Sequence, residues 1–207
     1  TLSTAAKLSL QIAPKIGDHD YKNKLVLRAG TSAAIEIPFV AAPMPDAKWT
    51  YKGSSLPDNR RFKTDTIIGM SSMTMAKVVR SDSGNYQLKL ENEFGKDTFT
   101  IELVVLDKPG PPENLRPRNI TDTSFEVSWD EPRDNGGAKI TDYIIEKRDA
   151  GRRAWNREFS TPEQQASLTG LTEGTTYMVR VAAENEVGVG EFAELAKSVV
   201  PKSQFDV

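Results

Sequence analysis

Few residues in this chain have chemical potential, and they do not converge. His19, flanked by Asp18 and Asp20, is the only histidine in 207 residues, and there is no cysteine. A histidine-based triad, a multi-histidine metal site, a thiol nucleophile and a thiolate site are all excluded. Asp18, His19 and Asp20 are adjacent, whereas a metal needs ligands that converge; their polar stretch marks His19 as a surface residue. Gly188-Val189-Gly190 is not followed by a helix start, the source of donors in a phosphate loop. Glu91 and Glu93 fall on an expected strand and loop with no pocket implied. Asn119-Ile120-Thr121 matches the glycosylation acceptor pattern, which short sequences meet by chance. Ser81 and Ser83 are acceptable phosphorylation targets, but the turn they occupy needs small polar residues anyway. The expectation is a non-enzyme without metal or cofactor.

One charged cluster stands out: Lys147, Arg148, Arg152, Arg153 and Arg157, on a hairpin turning through Asp149-Ala150-Gly151. Two readings stay open. Charge on a solvated hairpin edge discourages edge-to-edge pairing. Alternatively the cluster docks onto an acidic surface of a partner, where charge favours encounter rate and specificity. The first 107 residues carry 14 Lys and Arg against 12 Asp and Glu, and the remainder 13 against 17. Neither half concentrates the positive charge that phosphate backbones demand, so nucleic acid is not an expected partner. No apolar run is long enough to span a bilayer, and the N-terminus lacks a signal-peptide core.

The elements that must position these residues are short strands. Lys108-Pro109-Gly110-Pro111-Pro112 is the strongest punctuation, because proline lacks a donor and fixes φ. Before it, Phe99, Ile101 and Leu103 alternate with polar residues as a final strand with one buried face. The expected organisation is a linker over 1–12, a first domain over 13–107, a junction over 108–112, a second domain over 113–202 and a linker over 203–207. Proline-rich links behave as semi-rigid spacers, so Pro109, Gly110, Pro111 and Pro112 should restrict motion between the domains. Ala33, Ile35, Ile37 and Phe39 alternate as a strand, as do Tyr86, Leu88 and Leu90; Met73, Met75 and Val78 sit near another. Asn92-Glu93-Phe94-Gly95 is a hairpin signal. In the second half Phe125 to Trp129 is a strand. Ile140, Tyr143 and Ile145 occupy the next, after the turn Asp134-Asn135-Gly136-Gly137.

Trp49 and Tyr86 fix the first fold. In an immunoglobulin sandwich a buried Trp packs on an inter-sheet disulfide, and a corner Tyr lies two residues before the second cysteine. That pattern puts Ile37 and Leu88 at the cysteine positions, so Ile37, Trp49, Tyr86 and Leu88 form an apolar core in place of the bridge. The loss of cysteine suits a reducing compartment. In the second domain Trp129, Tyr143, Leu171 and Tyr177 are the core, with Tyr177 spaced from Leu171 as a corner tyrosine. The fold class is all-β: two tandem sandwiches, an intermediate-set immunoglobulin-like domain followed by a fibronectin type III domain.

The order of motifs resembles giant muscle proteins of the titin, twitchin and projectin family. The carriers are Ala41 to Pro45 before Trp49, Asp82 to Tyr86, Asp107 to Pro112, Trp129-Asp130-Glu131-Pro132, Asp134 to Ile140, Tyr143 to Arg148, and Arg180 to Gly190. The resemblance implies a piece of a long domain array along the sarcomere, its ends leading to neighbouring domains. It also implies a cytoplasmic, A-band location, with myosin or other thick-filament proteins as partners, no membrane, and a monomer in isolation. The expected role is a load-bearing spacer and docking segment. The competing reading is an extracellular adhesion or receptor module of the same fold.

Overall fold

The structure, a computed structural model, describes residues 10–57 and 60–203. Most of the terminal segments read as linkers, 1–9 and 204–207, lie outside these residues. The chain divides into two compact units, residues 1–105 and 106–207.

The first unit contains β1 (Ile12–Ile16), β2 (Lys24–Arg28), β3 (Ala33–Ala42), β4 (Asp46–Tyr51), β5 (Phe62–Ile67), β6 (Met70–Met75), β7 (Gly84–Asn92) and β8 (Gly95–Leu106). They form two four-stranded sheets, in the orders β1-β3-β6-β5 and β2-β8-β7-β4. The inner faces follow the period of two along each strand. In β3 every second residue from Ile35 to Phe39 is buried, and in β7 Tyr86, Leu88 and Leu90 are. Trp49 of β4 and Leu88 of β7 are direct cross-strand partners. Ile37, from the opposite sheet, is fully buried in the same cluster. The indole Nε1 of Trp49 donates to Ser71 Oγ at 3.1 Å. Ser71 stands beside Ile37 in the β3–β6 register, is itself fully buried, and shares a 2.9 Å hydrogen bond with Thr66.

Asp82 to Tyr86 leads into β7, and four of its residues each have their own reason. The Asp82 carboxylate is buried and takes a two-pronged ion pair from Arg61, at 2.6 and 3.0 Å. It also accepts the Val79 N–H at 2.8 Å. Ser83 Oγ accepts the Val105 N–H and donates to Arg80 O. A Cβ on Gly84 would lie 2.9 Å from the Tyr51 ring, so only glycine fits. The Tyr86 hydroxyl donates to Asp82 O at 2.8 Å, and burial, reinforced by Asp82, pushes its pKa well above the ordinary value.

The second unit contains β9 (Glu113–Arg118), β10 (Phe125–Asp130), β11 (Asp142–Asp149), β12 (Asn156–Thr161), β13 (Gln165–Leu168), β14 (Tyr177–Asn185) and β15 (Gly188–Glu194). A three-stranded sheet, β13-β10-β9, packs on a four-stranded one, β12-β11-β14-β15. Trp129 is buried and meets Tyr143 edge-on, with ring centres 5.4 Å apart. Leu171 is also buried, and the Tyr177 hydroxyl accepts the Thr172 N–H at 3.0 Å. Ile140, expected in a strand, precedes β11 instead. The chain is still turning there through Gly136 and Gly137, at φ 75° and 81°, although Ile140 packs against the core.

Candidate interaction face and its supports

Two places bring together side chains that elements distant in sequence must deliver. The first is the segment Asp107–Gly110, which lies along the second unit as a strap. The Asp107 N–H donates to Gly136 O at 2.8 Å and the Gly110 N–H to Asp134 O at 2.9 Å. Asn185, at the end of β14, is only 4% exposed and all its polar capacity is used. Its Nδ2 donates to Asp107 O at 2.8 Å and Asn135 O at 2.9 Å. Its Oδ1 accepts the N–H groups of Val187 and Gly188 at 2.9 and 3.2 Å. Two glycines make the approach feasible. A Cβ on Gly136 would lie 2.0 Å from Asp107 O, and one on Gly190 2.0 Å from Pro109 O. Pro109 and Pro112 are buried, and Pro111 is exposed. Gly188-Val189-Gly190, weighed above as a phosphate loop, thus serves as a seat for backbone.

The second place is the outer face of the β12-β11-β14-β15 sheet. Glu146 of β11 and Arg180 of β14 are registered partners. Arg180 donates to Glu146 Oε2 from Nε at 2.7 Å and from Nη2 at 2.6 Å. Its guanidinium lies 4.5 Å from the Trp155 ring centre and 4.2 Å from that of Phe192. Arg148 lies over Trp155 as well, at 4.9 Å. The result is a stack of alternating guanidinium and aromatic groups that holds the β11–β12 loop against the sheet. Such contacts are worth about 0.5–1 kcal/mol each when exposed.

This stack divides the basic cluster. Lys147 pairs with Glu158 at 2.8 Å and Arg152 with Asp149 at 3.2 Å. Arg148 donates to Arg152 O at 2.7 Å. Only Arg153 and Arg157 of the five are exposed and make no ion pair among the described residues. Sequence reasoning missed Trp155 and Phe192 altogether and met Arg180 only as part of a family-like motif. The one signal for Arg180 was its place among Met178, Ala182 and Glu184 on the outward-facing phase of β14.

Other sequence candidates do not assemble. His19 is half-buried and not a surface residue: its ring meets Phe99 edge-on at 4.8 Å. Its Nδ1 is sealed off without a partner among the described residues. Asn119 Nδ2, the atom a glycan would occupy, donates to Glu126 at 2.7 Å. Glu91 is exposed and pairs with Lys89, whose hydrogen bond and charge hold its carboxyl below the usual range.

Family models agree with this division: an immunoglobulin I-set domain matches residues 19–105 and a fibronectin type III domain residues 110–198. The chain is therefore a tandem of these two domain families, in that order. Its relatives are myosin-binding proteins and titin-like proteins. The slow-type myosin-binding protein C of Homo sapiens is 32% identical over 184 residues, covering 85% of this chain and 15% of that protein. The titin homolog of Caenorhabditis elegans is 32% identical over 167 residues, covering 79% of this chain and 1% of that protein. Among solved structures, a crystal structure of titin domains matches with a TM-score of 0.53 at 29% identity, covering 94% of this chain and 68% of that one. The chain thus corresponds to a small part of these longer relatives.

Proposed function

We propose that this chain is a non-enzymatic structural segment of a giant muscle protein, acting in the cytoplasm, in the A-band of the sarcomere. It serves as a semi-rigid, load-bearing spacer and offers a docking surface to thick-filament proteins such as myosin. The kinship with myosin-binding and titin-like proteins supports the setting. The strap carries the mechanical part of the reading. Asp107–Gly110 is tied to the second domain by backbone and Asn185 hydrogen bonds, so its stiffness does not rest on proline composition alone. Within the first domain, β2 lies beside β8, and the Glu102 N–H donates to Asn23 O at 2.8 Å. Such bonds contribute about 0.5–1.5 kcal/mol each, but resist collectively when sheared together.

The experiment is small-angle scattering of the chain and of Asn185→Ala, with myosin-rod co-sedimentation on the same preparations. A narrow spread of shapes for the native chain, widened in Asn185→Ala, fits the spacer. Equal, broad distributions for both would remove that part of the reading. Failure to sediment with the rod would remove the myosin-docking part.

A further inference from the structure

The docking reading does not say which surface is used, and the outer face of the β12-β11-β14-β15 sheet offers an answer. Trp155 belongs to a loop, yet its ring is gripped by Arg148 and Arg180, and Arg180 is fixed in turn by Glu146 and Phe192. A large aromatic held on a pre-ordered platform loses little freedom on binding, which is the property of an interface anchor. Two residues before it stands Arg153 and two after it Arg157, both exposed and without an ion pair among the described residues. Arg148 takes no direct part: its Nε is sealed from solvent and its Nη1 already donates to Arg152 O.

We propose that Arg153, Trp155 and Arg157 form a docking surface for an acidic polypeptide. Carboxylates pair with the two free guanidiniums while the Arg148–Trp155–Arg180–Phe192 stack provides the fixed floor. This rests on the docking reading above and deepens it by naming the surface and the partner's chemistry. Charge complementarity selects the occupant. Two planar guanidinium forks match discrete carboxylates in two-pronged geometry. Glu146, Asp149 and Glu158 lie among the cations and interrupt the continuous positive track that a nucleic-acid backbone requires.

The test uses the intact chain and three probes: fluorescent poly-L-glutamate, single-stranded DNA of matched length, and myosin rod. Arg153→Glu with Arg157→Glu is compared with Lys63→Glu with Lys77→Glu, which makes the same charge change on two exposed lysines of the first domain. The expected result is polyglutamate binding that weakens with salt, falls at least about tenfold in the arginine pair and changes less than about twofold in the lysine pair. Trp155→Ala should weaken it further at constant charge. Equal losses in both pairs, no binding of polyglutamate, or DNA binding as tight as polyglutamate would each overturn the proposal. Rod binding that survives the arginine reversal would overturn this surface while leaving the docking reading intact. Polyglutamate binding through the arginines without rod binding would do the reverse.

Discussion

Each domain buries one tryptophan, but the two N–H groups meet different fates. Trp49 donates to Ser71, which is held by Thr66. Trp129 Nε1 has no acceptor among the described residues, and neither has the nearby buried Ser128 Oγ. The contrast extends to the arginines. The first domain draws Arg61 in against a buried Asp82; the second lays Arg180 on its outer face, between two aromatic rings. One sandwich is thus fastened from inside by polar pairs and the other is braced from outside. Both sandwiches bury a tryptophan, but on different strands and with different provision for its N–H.

The comparison breaks most visibly at the cores. Trp49→Ala should destabilise the first domain by roughly 3–5 kcal/mol, seen in urea as an early transition for that domain with the second unmoved. An unchanged midpoint would contradict the placement of Trp49. Next, Arg61→Leu leaves the Asp82 carboxylate buried and unpaired. A loss of about 3 kcal/mol is expected, at the low end for a broken buried pair because Arg61 is partly solvated; calorimetry of the two transitions would measure it.

A paired substitution sharpens the contrast. Ser71→Ala removes a hydroxyl with two partners and should cost about 1–3 kcal/mol, whereas Ser128→Ala removes one with none and should be neutral or slightly stabilising. Equal effects in denaturant titrations would show that the polar fastening of the first domain is incidental. The smallest effect is electrostatic. Hydrogen bonds from Asn114 and then Arg116 hold the Asp130 carboxyl below the usual range. A depressed acid contributes stability above its unfolded pKa of about 3.9, and that contribution disappears as pH falls through the lowered native value. Asn114→Ala should raise the Asp130 midpoint, followed by carboxyl NMR; an unmoved midpoint would exclude Asn114 as its main support.

Much of the fold was legible because its signals are local. Alternation marks β3, β7, β8 and β10, and the spacing of Trp49, Tyr86 and Leu88 marks a sandwich. What escaped notice depends on partners far along the chain. Arg61 is informative only with Asp82, 21 residues on, and Ser71 only with Trp49. Glu146 and Arg180 are 34 residues apart. β12 is exposed at five of its six positions, so it carries no buried periodicity to read. The basic cluster was visible as composition, but composition does not show that Glu158 and Asp149 neutralise part of it. His19 looked polar by its neighbours in sequence, whereas Phe99 and Tyr21 are its neighbours in space.

The strap over Gly136 and Gly190 has a consequence for the order in which the chain is made. Asp107–Gly110 leaves the ribosome at the head of the second domain, but Asn185, which ties it down, follows 78 residues later. Chains are synthesised at about 5–20 residues per second, so the strap waits several seconds for the rest of its seat. It is among the first parts of its domain to be born; its ties to Asp134 and Gly136 come early, but those to Asn185 and Gly190 wait for β14 and β15. The oldest residues of the second domain are thus fully tied down only by some of its youngest.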